Sequence, residues 1–147
     1  MTDQQLISKI LEIRSDCFSS IKVPRPNRIH LTIDREKIVE CAGFLRDHFS
    51  FSFISASGIE SSSSYEVIYY LLHQESDIKI SLRTEAPKDD PFFNTLSGVF
   101  AGSDWAEKEI ASLYSIAFIG HNERNQRPPD TLEIYESVYD LDVEGMF

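Results

Sequence analysis

The sequence predicts an α+β fold, a two-layer sandwich in which an antiparallel or mixed sheet is covered by helices. Apolar residues recur with helical spacing over residues 2–19, 34–49 and 104–115. Between residues 51 and 83, three successive segments alternate apolar and polar residues, which is typical of an antiparallel meander. The 147-residue chain is 41% hydrophobic, which is sufficient for one domain with its own core.

The N-terminal part of the chain predicts a helix, a connector and a strand. Thr2 and Gln5 have the spacing of a capping box, and the helix is expected to end near Ser19. Pro24 and Pro26 indicate a connector. The predicted connector is Lys22–Asn27, and the predicted strand is Arg28–Ile33.

The middle of the chain predicts a second helix and then the meander. Asp34 is expected to cap this helix, whose apolar stripe runs from Ile38 to Phe49. Glu60–Ser64 is a polar turn and Pro87–Pro91 an exposed loop. The predicted strands are Phe51–Gly58, Tyr65–His73 and Asp77–Arg83.

Charge and cysteine usage exclude several classes of protein. With a net charge of −10 and no clustered Lys and Arg along the chain, we expect no nucleic-acid binding. Cys17 and Cys41 form no Cys-x-x-Cys pair, so we expect neither zinc nor iron–sulfur ligation. The longest apolar stretch, near Val67–Leu72, is too short to span a bilayer, and Met1–Ser8 lacks the features of a signal peptide. A protein partner is therefore expected.

Neither the carboxylates nor the histidines of the chain form a pattern that predicts catalysis. Glu107 and Glu109 are two residues apart on a helix, so they point in different directions. Asp104 and Glu107 have capping-box spacing, which also suits a solvated first turn. His121 follows Gly120, and the remaining histidines are scattered singly. We expect no catalytic, cofactor-binding or metal-binding residue.

The segment Trp105–His121, WAEKEIASLYSIAFIGH, carries the most specific pattern in the chain. It resembles the signature of the 30 kDa subunit family of respiratory complex I and of its relatives in energy-converting nickel–iron hydrogenases. The chain departs from that signature at Ser112, Ser115 and Asn122, as a divergent member does. The residues at matching positions are Trp105, Glu107, Lys108, Glu109, Tyr114, Ile116, Phe118, Gly120 and His121.

The resemblance implies a non-catalytic scaffold subunit of a membrane-associated redox complex, of the NADH:quinone oxidoreductase or hydrogenase type. Such a subunit binds no cofactor, has the large catalytic subunit and the iron–sulfur subunit as partners, and lies on the cytoplasmic side, peripheral to the membrane. The matching residues are then expected at the interface, with Trp105 as an anchor, although a tryptophan under the last helix fits the core equally well. Residues 1–121 form the expected domain, and 122–147 an acidic tail that also contacts the partner.

Two other functions are compatible with the residues. A stand-alone homodimeric module could bind a small ligand or a protein on its open sheet face. A small hydrolase or isomerase could use His121 with a nearby carboxylate. The first predicts a dimer that needs no other subunit, and the second predicts an acid–base pair in a pocket near Gly120.

Overall fold

The computed structural model describes residues 2–14 and 18–120. Cys17, His121 and the expected tail 122–147 lie outside these residues, so the domain boundary near residue 121 stays a prediction. The helices are α1 Asp3–Arg14, α2 Ile38–Phe49 and α3 Ser103–Tyr114. The strands are β1 Ser20–Arg25, β2 Arg28–Thr32, β3 Ser52–Glu60, β4 Ser64–His73, β5 Ile78–Pro87, β6 Phe92–Asn94 and β7 Ala117–Ile119.

Five of the strands form a mixed sheet in the order β1-β2-β5-β4-β3. The strands β3, β4 and β5 pair antiparallel in succession, so the predicted meander is confirmed. β2 pairs with β1 antiparallel and with β5 in parallel. With three helices beside this sheet, the predicted α+β class is confirmed. The short strands β6 and β7 form a separate parallel pair.

One apolar core lies between the sheet and the helices. Strand residues such as Ile29, Tyr69 and Leu82 belong to the same buried cluster as Leu6 of α1 and Leu45 of α2. Burying one such aliphatic side chain contributes about 1.5–3 kcal/mol. Along β2 and β5, buried residues alternate with half-buried polar ones, so the second face of the sheet is left open.

The structure corrects the predicted course of the N-terminal segment. The capping box is confirmed, since the amide of Gln5 donates to Thr2 Oγ1 at 3.2 Å and the amide of Thr2 to Gln5 Oε1 at 3.0 Å. The expected helix end near Ser19 is wrong, because Ser19 lies outside any helix. The expected connector is also wrong, because Ser20–Arg25 is strand β1.

Strand β1 accommodates proline because it lies at the edge of the sheet. The pairing with β2 is irregular between Lys22 and Arg25, where Pro24 lies. Pro26 and Asn27 form the turn into β2, and Asn27 adopts a left-handed φ of 62°, which asparagine tolerates. The amide of Asn27 donates to Asp3 Oδ2 at 2.8 Å, so this turn is fixed to the start of α1.

The start of α2 also differs from the prediction. Asp34 does not cap the helix, which begins at Ile38 with Lys37 in the N-cap position and no side-chain cap. The backbone carbonyl of Asp34 instead accepts the amide of Lys37 at 3.0 Å, which closes a turn before the helix. A good capping residue therefore lies one turn upstream of the helix that actually forms.

Candidate docking surface on the third helix

Helix α3 packs on edge strand β3 and presents two different faces. Its inward face carries buried residues at positions 103, 107 and 110 and half-buried Tyr114. Its outward face carries Trp105, Glu109 and Leu113, at intervals of four residues. The sequence signature is thus divided between the core and the surface.

The predicted capping box at the start of α3 is wrong. The N-cap is Gly102, without a side-chain cap, and Ser103 is the first helical residue. Asp104 Oδ2 accepts a hydrogen bond from Lys108 Nζ at 2.8 Å, one turn further along. Asp104 and Lys108 are both half-buried, whereas Glu107 is buried.

Glu107 is the centre of a buried polar cluster and is only 2% exposed. Its Oε2 accepts hydrogen bonds from the phenol of Tyr69 at 2.5 Å and from the amide of Leu96 at 2.9 Å. Its Oε1 accepts a hydrogen bond from the hydroxyl of Thr95. Three donors therefore satisfy the carboxylate, and Glu107 joins α3 to β4 and to the segment after β6. The alternative of a solvated first turn does not apply to Glu107.

The pKa values in this cluster follow from burial. Burial raises the pKa of Glu107, while the hydrogen bonds from Thr95, Tyr69 and Leu96 oppose that rise. Burial and the neighbouring Glu107 carboxylate raise the pKa of Tyr69 well above its ordinary value, so Tyr69 stays a donor.

A close approach between α3 and β3 depends on Gly58. A Cβ atom at this position would lie 2.8 Å from Tyr114 Cε2 and 2.9 Å from Ile110 Cγ2, distances that real Cβ atoms essentially never show. The hydroxyl of Tyr114 donates to the carbonyl oxygen of Gly58 at 3.1 Å. The ring of Tyr114 also lies 6.1 Å from that of Tyr65. These contacts set the position of the C-terminal half of α3.

An open groove of about 650 Å³ runs between the outward face of α3 and β3. Leu113 is 74% exposed beside it, and Ile54 is 49% exposed. Leu113 therefore lies outside the buried face of α3, although it continues the apolar residues of the helix. The groove is lined by residues 53–58 of β3 and by Gly102, Trp105, Ala106, Glu109, Ile110, Leu113 and Tyr114.

The end of the signature forms the β6–β7 pair. Ser115 ends α3 with a left-handed φ of 57°, and Ile116 is buried. Phe118 on β7 stacks on Phe93 of β6 with ring centroids 5.7 Å apart. Gly120 is exposed and is the last described residue, so the expected role of His121 is not described by the structure.

Within residues 2–14 and 18–120, no group of three or more His, Cys, Asp and Glu side chains has the arrangement of a metal site. His48 packs its ring 4.7 Å from that of Phe44, and His73 Nδ1 lies 2.7 Å from Ser76 Oγ. Among the helices in the described part of the chain, none is long and apolar enough to cross a membrane.

Comparison with known families identifies the domain. Residues 31–133 match the family model for the 30 kDa subunit of respiratory-chain NADH dehydrogenase. The chain belongs to this family. The match extends from β2 past the end of β7, so it includes the whole of α3 and the groove beside it.

Similar members of the family are NADH-quinone oxidoreductase C subunits. That of Rhizobium rhizogenes is 24% identical over 80% of this chain and 60% of its own length. That of Xanthobacter autotrophicus is 33% identical over 63% of this chain and 47% of its own length. That of Herpetosiphon aurantiacus is 30% identical over 69% of this chain and 64% of its own length. The chain thus spans about half to two thirds of the length of these relatives.

Two solved structures share the fold. A chain of the membrane-bound sulfane sulfur reductase, an archaeal respiratory membrane complex, superposes with a TM-score of 0.73 at 17% identity, covering 82% of this chain and 72% of that one. A trypsin-resistant fragment, residues 1–134, of Nqo5 superposes with a TM-score of 0.66 at 18% identity, covering 80% of this chain and 98% of the fragment.

In this family member, sequence reasoning placed nine signature residues at one interface, but the structure separates them. Trp105 and Glu109 line the groove, whereas Glu107 and Ile116 are buried. Leu113 and Ile54 were missed as surface residues of the groove. Positions 103, 107, 110 and 114 form one stripe along the helix, and position 113 lies off it. This spacing could have indicated from the sequence that Leu113 is exposed.

Proposed function

We propose that this chain is a non-catalytic subunit of a membrane-associated respiratory complex of the NADH–quinone oxidoreductase type, and that it docks on the large catalytic subunit through the outward face of α3. Membership of the 30 kDa subunit family supports the assignment to such a complex. The observation that carries the docking site is the open groove beside α3, which is lined by the outward residues Trp105, Glu109 and Leu113 and also by Ile110 and Tyr114.

The residues of the groove have the chemistry of a protein interface. Trp105 is half-buried and lines the groove with a large apolar ring, and tryptophan is enriched among interface anchors. Leu113 and Ile54 supply apolar surface at the rim, which gains free energy when a partner removes it from water. Glu109 is exposed at the same groove and adds a charge that can fix the register of the partner.

We assign different roles to the signature residues on the inward and outward faces of α3. Glu107, Tyr114, Ile116 and Phe118 hold α3 and β7 in position, whereas Trp105 and Glu109 contact the partner. Lys108 acts through its bond to Asp104. The scaffold role also includes seating the iron–sulfur subunit beside the large subunit, on the cytoplasmic side and peripheral to the membrane. The enclosure of Glu107 by three donors, away from the groove, supports a role without acid–base chemistry.

The test is an affinity purification of the chain, at native abundance, from gently solubilised membranes. Mass spectrometry of the eluate is expected to identify a large catalytic subunit and an iron–sulfur subunit. Trp105→Ala is expected to reduce their recovery at least about tenfold, which corresponds to roughly 1.4 kcal/mol of lost binding free energy.

The alternative of a stand-alone homodimeric module makes the opposite prediction. The open sheet face, where this module is expected to bind its ligand, carries a groove of about 690 Å³, which lies within the size range of small-ligand sites. Recovery of the chain without other subunits, as a soluble dimer, contradicts the scaffold proposal and supports the module. If the Trp105→Ala variant recovers both subunits as well as the native chain does, Trp105 does not lie at the interface.

A further inference from the structure

The open face of the five-stranded sheet carries a cluster of basic side chains from three adjacent strands. We call it the basic face; its members are Lys22 and Arg25 of β1, Arg28 of β2, and Lys79 and Arg83 of β5. Pairing places Arg28 beside Lys79, Thr32 beside Arg83, and Lys22 beside His30. Four of these side chains, Arg25, Arg28, Lys79 and Arg83, line a groove of about 690 Å³, together with His30, Tyr70 and Ile54.

The basic face corrects an expectation from the sequence. No clustered Lys and Arg are visible along the chain, but the sheet joins segments that are about 50 residues apart, and 5 of the 14 basic residues meet on one face. Nucleic-acid binding was excluded partly on that ground; the exclusion now depends on the net charge of −10 and stays a prediction.

Most of the basic face has no acidic partner in the described residues. Arg83 pairs with Glu66 at 3.2 Å. Lys22, Arg25, Arg28 and Lys79 form no ion pair with an acidic side chain of residues 2–14 and 18–120. By contrast, Arg35, Arg46, Lys88 and Lys108, on other surfaces, each pair with an Asp or Glu.

The pKa of His30 reflects the positive electrostatic potential of the basic face. Its pKa is lowered first by burial and then by Arg83, Lys22 and Arg25. The cations are therefore close enough to disfavour one more positive charge at the centre of the cluster. A bound anion relieves this repulsion.

The chain itself contains a segment of the opposite charge. Residues 128–147 hold six acidic residues and no basic one. Within it, Asp140-Leu141-Asp142-Val143-Glu144 alternates acidic and apolar residues. In any extended peptide, residues two apart lie on the same side, about 6.6 Å apart, which is also the spacing of alternate side chains along a strand such as β5. Residues four apart, such as Asp140 and Glu144, then lie about 13 Å apart, which is also the spacing of Lys79 and Arg83 along β5.

The segment is long enough to reach the basic face. The last described residue is Gly120, and the ten residues to Asp130 span up to about 33–36 Å when extended. That length is comparable with the diameter of a domain of this size. Tethering also gives the segment an effective concentration of the order of millimolar, which favours it over a free competitor.

We propose that the basic face binds residues 128–147 of the same chain. Carboxylates of this segment pair with the four cations that have no acidic partner among residues 2–14 and 18–120, and the interleaved apolar residues contact Ile54 and Tyr70. The net negative charge of the chain disfavours nucleic acid as the occupant, because duplex DNA is repelled at long range. The proposal concerns the free chain and does not depend on the docking of α3.

Zero-length carbodiimide cross-linking of the full purified chain tests the proposal. The reagent activates a carboxylate, and a lysine amine within contact distance replaces it to form an amide. We expect peptide mapping to join carboxylates of 128–147 to Lys22 and Lys79, in a monomer-sized product, at least about tenfold more often than to Lys9 or Lys88. In about 1 M salt these links are expected to disappear, since the Debye length falls to about 3 Å.

Matched variants sharpen the result. Lys79→Arg keeps the charge but removes the amine, so it is expected to abolish the Lys79 links and leave those to Lys22. Neutralising the segment with Asp140→Asn, Asp142→Asn and Glu144→Gln is expected to lower the pKa of His30 further, as measured by nuclear magnetic resonance. Glu66 and Glu85, the carboxylates on the same face, are unchanged in both proteins.

Three results overturn the proposal. Links spread evenly over all lysines, with an unchanged His30 titration, show that the face does not bind the segment. Links found only in a dimer-sized product assign the face to a second copy of the chain. Absence of links, together with binding of duplex DNA or anionic phospholipid vesicles that is lost in Arg28→Gln, assigns it to that polyanion. None of these results depends on the recovery of other subunits. The cross-linking experiment can therefore contradict this proposal without contradicting the docking proposal, and the reverse also holds.

Discussion

The phenolic oxygen of Tyr69 donates a hydrogen bond to Glu107 Oε2 across 2.5 Å, and both side chains are buried. Tyr69 lies on β4, inside the sheet, and Glu107 lies on α3, so the bond joins the sheet to the helix that lines the groove. The orientation of the candidate docking surface is thus fixed by a polar contact in the interior.

Removal of the Glu107 carboxylate is expected to destabilise the fold strongly. Glu107→Ala leaves the donors of Tyr69, Thr95 and Leu96 buried without an acceptor, and we expect a loss of about 3 kcal/mol in the free energy of unfolding. Tyr69→Phe removes one donor and is expected to lose about 1–2 kcal/mol. Urea unfolding followed by circular dichroism measures both. A Glu107→Ala protein as stable as the native chain would show that the buried cluster does not stabilise the fold.

The same carboxylate predicts a pH dependence of stability. Burial raises the pKa of Glu107 above its ordinary value near 4.5, so the folded chain binds the proton more tightly than the unfolded chain. The stability gained from the protonated form is complete below the unfolded-state pKa and is lost as pH rises through the raised folded-state pKa. Relative to Glu107→Gln, which cannot ionise, the native chain is expected to lose stability across that window. Urea unfolding at several pH values tests this, and a constant difference contradicts it.

A methyl group at Gly58 is expected to separate α3 from β3. The new Cβ would meet Tyr114 and Ile110 at 2.8 and 2.9 Å, so Gly58→Ala is expected to lose about 1–3 kcal/mol of stability. Gly43→Ala is the matched control, because nothing lies within 4 Å of its Cβ in α2, and we expect a gain of about 0.5–1 kcal/mol. Equal effects of the two substitutions in thermal unfolding argue against the close approach.

A substitution at Leu113 distinguishes an effect on partner binding from an effect on stability better than a substitution at Trp105 does. It is 74% exposed, so Leu113→Ser is expected to change the free energy of unfolding by no more than about 0.5 kcal/mol while reducing recovery of the large subunit several-fold. Leu11→Ser, on the exposed side of α1, is the matched control and is expected to leave recovery unchanged. If Leu113→Ser and Leu11→Ser recover the same amount of the large subunit, Leu113 does not lie at the proposed interface.

Ser115 carries a strain that glycine removes. It ends α3 at a φ of 57°, a conformation that is unfavourable for residues with a Cβ atom. We expect Ser115→Gly to raise stability by about 0.5–1 kcal/mol, whereas Ser112→Gly, inside the helix, lowers it by about 0.5 kcal/mol. Calorimetric melting temperatures of the two variants provide the comparison. A lower melting temperature for Ser115→Gly contradicts this account of the helix end.

Local signals in the sequence predicted much of the fold. The Thr2–Gln5 capping box and the three strands of the meander depend on neighbouring residues, and the structure contains them. β1 was missed because Pro24 and Pro26 have the same local preference in an edge strand and in a loop. The chain also departs from the family signature at Ser115, whose left-handed φ is a conformation that favours glycine.

The remaining features depend on contacts between distant segments, which local patterns do not encode. Glu107 has capping-box spacing relative to Asp104, yet donors from β4 and from residues 95 and 96 draw it into the core. The basic face likewise forms only when β2 and β5 pair. The interface roles of the signature residues stay predictions, as does the role of His121.

The parallel pairing of β2 with β5 restricts the order in which the protein can form during translation. The hydrogen-bond partners of Arg28–Thr32 in β5 are Lys79–Arg83, about 50 residues further along the chain. Until β5 has left the ribosome, β2 has only β1 as a neighbour, and Ile29 and Leu31 lack the strand beside which they are buried. Such non-local pairing slows folding and exposes apolar strands to association. A nascent chain that stalls before Ile78 therefore presents β2 with one edge unpaired and with Ile29 and Leu31 uncovered, the kind of surface that chaperones bind.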